Sequence, residues 1–305
     1  MENKSQIRAF TKRVLGTLAL VLISTSYITQ LKAETIESIN NVSTRSTMRS
    51  PKQVPSTNIS KPQKRSGRVS FIQPKLPSNS APSGRQRGAA GRGNCLNNVT
   101  IPLTALVPSV TKSIKNGQQS IVATNVWGLT VKERPTFLFY VPYVQRSAVA
   151  EFVLQDSEDN DVYRAQVTLP STPGIVRMKL PLESAPLAVN KMYHWYFKVR
   201  CQQNMASPVF VEGWVQRVIL NPTVTNQIAT AKSLQQQVAL YAEHGIWYDT
   251  AALLAQIRLQ NLEDTTAKAN WYSILEAIDL STLASESIKG IDNKEQKSLI
   301  SGRNP

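Results

Sequence analysis

Between residues 95 and 220 apolar and polar positions alternate with a period of two, and turn residues interrupt the alternation at short intervals. The stretch 127–144 (WGLTVKERPTFLFYVPYV) is rich in β-branched and aromatic residues and is broken by Pro135 and Pro142. A hairpin pattern follows over 148–169: Phe152 and Leu154 share a face, a polar turn runs from Asp156 to Asp161, and a return strand runs from Val162 to Leu169. In 173–182, Ile175, Arg177 and Lys179 alternate with Val176, Met178 and Leu180. In 192–201, Tyr193, Trp195, Phe197 and Val199 oppose His194, Tyr196, Lys198 and Arg200; the segment 209–220 (VFVEGWVQRVIL) completes the set. Strands at this spacing, with no helical pattern between them, predict a mainly β fold, an antiparallel immunoglobulin-like β-sandwich over 94–221.

After Asn221-Pro222 the period becomes helical, over 222–290. Leu234, Val238, Tyr241 and Ala242 share one face, and Gly245 is placed to end that helix. Asp249 is expected to cap a second helix carrying Leu253, Leu254 and Ile257. Asp264 or a neighbouring Thr is expected to cap a third, marked by Trp271, Ile274, Leu275 and Ile278. The segment 242–258 reads as a single helical hairpin of the tetratricopeptide kind, with no repeat array behind it. The last residues, 291–305, are polar and are expected to be a disordered tail.

Ahead of the sandwich the alternation fails. Lys4, Arg8, Lys12 and Arg13 precede a ten-residue apolar run, Val14–Ile23, and Ala33 offers a small residue at a cleavage point before Glu34. That is a secretory signal peptide over 1–33; the apolar run is too short to span a bilayer, and retention as an N-terminal anchor is the other reading. No other apolar run reaches transmembrane length. Residues 34–93 are rich in Ser, Thr, Pro, Gly and basic residues, with Phe71 as the sole aromatic, and read as a disordered linker.

Charge sharpens this division. Of the chain's formal +15, residues 1–93 carry +13, from 16 Lys and Arg against 3 Asp and Glu. The folded part is close to neutral, so the high pI does not indicate a nucleic-acid-binding fold. The basic arm is available to anionic polymers or lipids. The two cysteines, Cys95 and Cys201, both fall in the part expected to be exported and are read as a disulfide; their spacing suits no metal site.

Candidate chemistry is sparse. His194 sits on a polar strand face and His244 at a helix end, neither in a recognisable triad context. Asp156, Glu158, Asp159 and Asp161 could gather calcium, but the spacing lacks the EF-hand glycine and its closing glutamate, and hairpin tips favour Asx residues for turn reasons. Paired carboxylates for glycoside hydrolysis depend on spatial geometry and stay open. Among the aromatic residues Trp127, Tyr140, Tyr143, Trp195, Tyr196 and Trp214, Tyr143 and Tyr196 are the ones expected to be exposed. The ligand or interaction candidates are therefore Tyr143, Tyr196, Asp156 and Asp161, with no catalytic, cofactor or metal residue.

Six segments carry a family resemblance: 103–108 (LTALVP), 128–143 (GLTVKERPTFLFYVPY), 150–175 (AEFVLQDSEDNDVYRAQVTLPSTPGI), 193–201 (YHWYFKVRC), 209–218 (VFVEGWVQRV) and 240–258 (LYAEHGIWYDTAALLAQIR). In this order, over most of residues 90–280, they resemble a cyanobacterial family known only as domain of unknown function 928 (DUF928). The resemblance implies a cyanobacterial host and an envelope or extracellular location, and it supplies no site residues. Family members are often richer in Gly before the first Cys, where this chain has GAAGRGNC. The expectation is an exported interaction or assembly module with a protein or glycan partner; a carbohydrate-binding or carbohydrate-acting module is the other class.

Overall fold

The structure, a computed structural model, describes residues 68–75, 83–88, 99–116, 119–201 and 207–290, with the backbone of 297–298. All belong to the second of the chain's two units, Pro62–Pro305. The expected signal segment, Cys95 and most of the expected tail lie outside the described residues.

Two sheets face each other. The smaller has the order β1-β4-β7-β10, from β1 (Thr104–Ala105), β4 (Thr136–Val141), β7 (Gly174–Lys179) and β10 (Ile288–Lys289). The larger contains β2 (Ser109–Asn116), β3 (Gln119–Thr130), β5 (Ala148–Gln155), β6 (Asp161–Val167), β8 (Met192–Cys201), β9 (Val209–Arg217) and β11 (Lys297–Ser298). Its order is β11-β6-β5-β8-β9-β3-β2. The expected alternation holds along β8, where Tyr193, Trp195, Phe197 and Val199 are all buried. Phe137 and Phe139 of β4 meet Phe152 and Phe197 across the core, at 5.0 and 4.4 Å between ring centroids.

Four helices follow: α1 (Pro222–Ala229), α2 (Leu234–Glu243), α3 (Trp247–Gln260) and α4 (Thr265–Glu276). Asp264 caps α4 as expected, its side chain accepting from Ala267 N. Gly245 follows α2 with φ of 71°, a left-handed turn that costs glycine nothing. α1, capped by Asn221, was not legible because Val224 is its one buried residue. α3 packs on β3 and β4. Trp247 Nε1 donates to Leu106 O at 2.8 Å, and Tyr248 OH donates to Trp214 O while accepting from Trp195 Nε1.

Two expectations are corrected. The sheets are mixed rather than wholly antiparallel: β9 runs parallel to β3, and β10, returning after the helices, runs parallel to β7. The linker expected to be disordered over 34–93 is ordered where it is described. Val69 and Phe71 are buried, and Phe71 lies edge-on to Trp247 with centroids 4.8 Å apart. Val69 N donates to Asn270 Oδ1, Ser273 Oγ donates to Val69 O, and Ile72 N donates to Ala242 O. Residues 83–88 bond to both β3 and β9. Gly84 N donates to Thr124 O, and Arg85 and Glu212 exchange both backbone bonds at 2.9 and 3.0 Å. Backbone pairing is blind to side-chain composition, so a polar sequence gave no sign of it.

The seat of this strand is tight. A Cβ on Gly84 would lie 2.8 Å from Val126 Cβ and 2.9 Å from Glu212 O, both on the sheet. Gly84→Ala is expected to cost about 1–3 kcal/mol, as overpacking does. Thermal melts would show it, and an unchanged melting temperature would mean that this segment is not seated between β3 and β9 in solution.

Candidate functional site

The four residues singled out from sequence do not converge. Asp156 and Asp161 flank the β5–β6 hairpin tip. Asp156 Oδ1 accepts from the backbone of Glu158 and Asn160, and these bonds, led by that of the Asn160 side chain, hold its carboxyl below the usual range. Burial raises Asp161, but Arg164 and Gln155 outweigh it and hold it low. Arg164 Nε donates to Asp161 Oδ2 at 2.7 Å. These carboxylates build a turn. Among the described residues no group of three or more His, Cys, Asp or Glu could hold a metal ion.

Tyr143, expected to be exposed, is 2% exposed and part of the core, because the chain turns inward after Pro142. Tyr196 is half-buried on the outer face of β8, its OH 3.0 Å from His194 Nδ1. His194 is not the solvated residue its strand face suggested. Its ring stacks on Trp214 at 4.2 Å, and Nε2 lies 3.3 Å from Glu212 Oε2. His244 ends α2, its Nδ1 2.8 Å from Leu240 O. Asp249 does not cap α3. It lies in the helix's first turn, behind the N-cap residue Ile246.

Asp249 instead marks a cleft of about 560 Å³ between the small sheet and the α2–α3 pair. The register explains its floor. Thr136 pairs with Lys179 and Leu138 with Arg177, so these four share the β4–β7 face opposite Phe137 and Met178. Among the described residues β10 pairs with β7 at Ile175 and Val176, and none of them pairs with Arg177 or Lys179 on that edge. The loop 131–135 forms one wall, and Gln237 and Tyr241 of α2 with Asp249, Leu253 and Gln256 of α3 form the other.

The charges here are unevenly satisfied. Glu133 is taken by Arg217 at 3.1 Å and Arg134 at 3.6 Å. Asp249 Oδ2 accepts from Thr130 Oγ1 at 2.7 Å and Val131 N at 3.2 Å, tying α3 to the end of β3. Its Oδ1 is buried with no hydrogen bond among the described residues, and burial pushes its carboxyl up despite those donors. Burial also raises Tyr241, helped by the Asp249 carboxylate. Arg177 is half-buried, its Nε has no acceptor among the described residues, and burial pulls the guanidinium below its ordinary range. Sequence reading passed over Arg177 because its alternation with Val176 and Met178 looks like the solvent face of a strand.

A raised native value for Asp249 means that its contribution to stability is full below its ordinary 3.8 and is lost as pH rises through the native value. Asp249→Asn, which keeps an oxygen for Thr130 and Val131, is therefore expected to be at least as stable as the parent at pH 7 and to lose that advantage near pH 4. Asp249→Ala leaves both donors unmet and should cost about 1–3 kcal/mol. Denaturant titrations at the two pH values check this; an Asn variant less stable at pH 7 than at pH 4, relative to the parent, would reverse the sign.

Residues 87–288 match the family described as "Domain of Unknown Function (DUF928)". No curated protein matches the chain. Among solved structures it is similar to the beta-glucuronidase (GUS) of Parabacteroides merdae, at 12% identity and a TM-score of 0.21, over 60% of this chain and 34% of that one. The structure of that enzyme with glycerol in its active site gives 11% and 0.20, over 60% and 32%. This chain spans about a third of theirs, and likenesses so slight carry no argument about fold or activity.

Proposed function

The chain belongs to the DUF928 family, and we propose that it is an exported interaction or assembly module of a cyanobacterial envelope that receives its partner in the cleft between β7 and the α2–α3 pair. The carrying observation is the cleft, where sheet edge, loop and helices converge on a concave surface of the size that ligands and inserted side chains fill. In this reading the sheets form an immunoglobulin-like frame, and a tetratricopeptide-like hairpin closes one wall. The signal segment directs export, and the basic residues ahead of Arg68 tether the protein to anionic polymers or lipids. A carbohydrate-binding or carbohydrate-acting module is the second reading, favoured by two carboxylates, Glu133 and Asp249, in one cleft lining.

Ala252 lines the cleft from α3 and is half-buried, so Ala252→Trp fills the cleft from its open side. Affinity capture from the envelope fraction is expected to recover a partner with the parent chain and not with Ala252→Trp, at similar melting temperatures. N-terminal sequencing of that material should begin near Glu34. A partner retained by the plugged variant removes the cleft from the function, and a cytoplasmic protein starting at Met1 removes export.

A further inference from the structure

An arginine taken partly out of water needs an anion. Among the described residues, Arg177 is the one cation of the cleft floor that is half-buried while its Nε meets no acceptor and no carboxylate offsets its burial. Glu133 is committed to Arg217 and Arg134, and the Oδ2 of Asp249 to Thr130 and Val131, its Oδ1 being buried. Lys179, two residues along the same face, and Lys132 at the rim add positive charge, that of Lys132 being within electrostatic reach of the Asp249 carboxylate.

We propose that this cleft binds a small hydroxylated carboxylate of the sugar-acid class, held by a fork of two hydrogen bonds from the Arg177 guanidinium. The inference rests on the cleft being the protein's binding site and names what enters it. One planar guanidinium matches the two oxygens of one carboxylate. A phosphate dianion brings more charge and a third oxygen, for which only the exposed lysines remain. Thr136, Gln237 and Gln256 line the cleft with neutral hydroxyl and amide groups suited to ligand hydroxyls. Tyr241 and Tyr248 are buried to 6% and 2% exposure, so the site offers no open aromatic face for stacking a neutral sugar. A charge at a strand edge also deters edge-to-edge pairing. That role needs no ligand, and the experiment separates the two.

Calorimetry on the exported chain would use galacturonate, galactose and inorganic phosphate as probes. Galacturonate is expected to bind at least tenfold more tightly than galactose or phosphate. Arg177→Gln should lose that binding at least tenfold without lowering the melting temperature, since it removes an uncompensated half-buried charge; Arg177→Lys should fall between. Equal binding of galactose overturns the anion anchor, and tighter binding of phosphate overturns the carboxylate class. An Arg177→Gln chain that self-associates while binding galacturonate unchanged shows edge protection and overturns the proposal. No binding of galacturonate, with partner capture still abolished by Ala252→Trp, overturns the sugar-acid assignment and leaves the interaction module standing.

Discussion

A chain shortened to begin at Asn94 is expected to melt far below one that begins at Gly67, although the family match itself starts only at residue 87. The shorter chain loses two buried apolar side chains, Val69 and Phe71, and the backbone bonds by which residues 83–88 pair with β3, β9 and β1. Phe71 carries much of this. It is 9% exposed and edge-on to the fully buried Trp247, and Phe→Ala at such sites costs about 3–5 kcal/mol. Total stability of a domain is about 5–15 kcal/mol, so Phe71→Ala alone should shift a denaturation midpoint plainly. Light proteolysis should leave a fragment that starts before Arg68. A stable core starting near Cys95 and unaffected by Phe71→Ala would show that the arm is not part of the folded unit in solution.

The other large effect is expected from the cysteines. Cys201 closes β8 opposite Ala148 and is not free; the pairing with Cys95 is part of the export proposal. Such a bridge encloses a loop of roughly a hundred residues, for which chain-entropy arguments give about 4–5 kcal/mol. A reducing agent and Cys201→Ser should therefore lower the melting temperature to a similar extent, and non-reduced peptide mapping should recover Cys95 with Cys201. Free labelling of both thiols in the native protein would overturn the bridge.

What could be read from sequence was whatever repeats along a single element. The inward set of β8, the β5–β6 hairpin and the Asp264 cap each depend on neighbours a few positions away, and each stands in the structure. What could not be read depends on a second element arriving. Arg177 looks solvated until α2 and α3 close over β7, and His194 looks solvated until Trp214 of β9 stacks on it. Val69 and Phe71 are two apolar residues at alternate positions, too few to form a pattern, and their partners lie near the far end of the chain.

That separation governs the order in which the molecule can be finished. Val69 and Ser273 are joined across 204 positions, and Val69 and Asn270 across 201. A chain emerging from its N-terminus, from ribosome or translocation pore, delivers the arm first and its hydrogen-bond partners on α4 last. Strands β2 to β9 can pair, and residues 83–88 can seat between β3 and β9, while Val69 and Phe71 wait because Trp247 and α4 have not yet arrived to receive them. Contacts this distant are slow to form because loop closure must precede them. Completion of the fold is thus tied to release of the whole chain, and a polypeptide stalled short of Ser273 keeps its first folded segment unlatched.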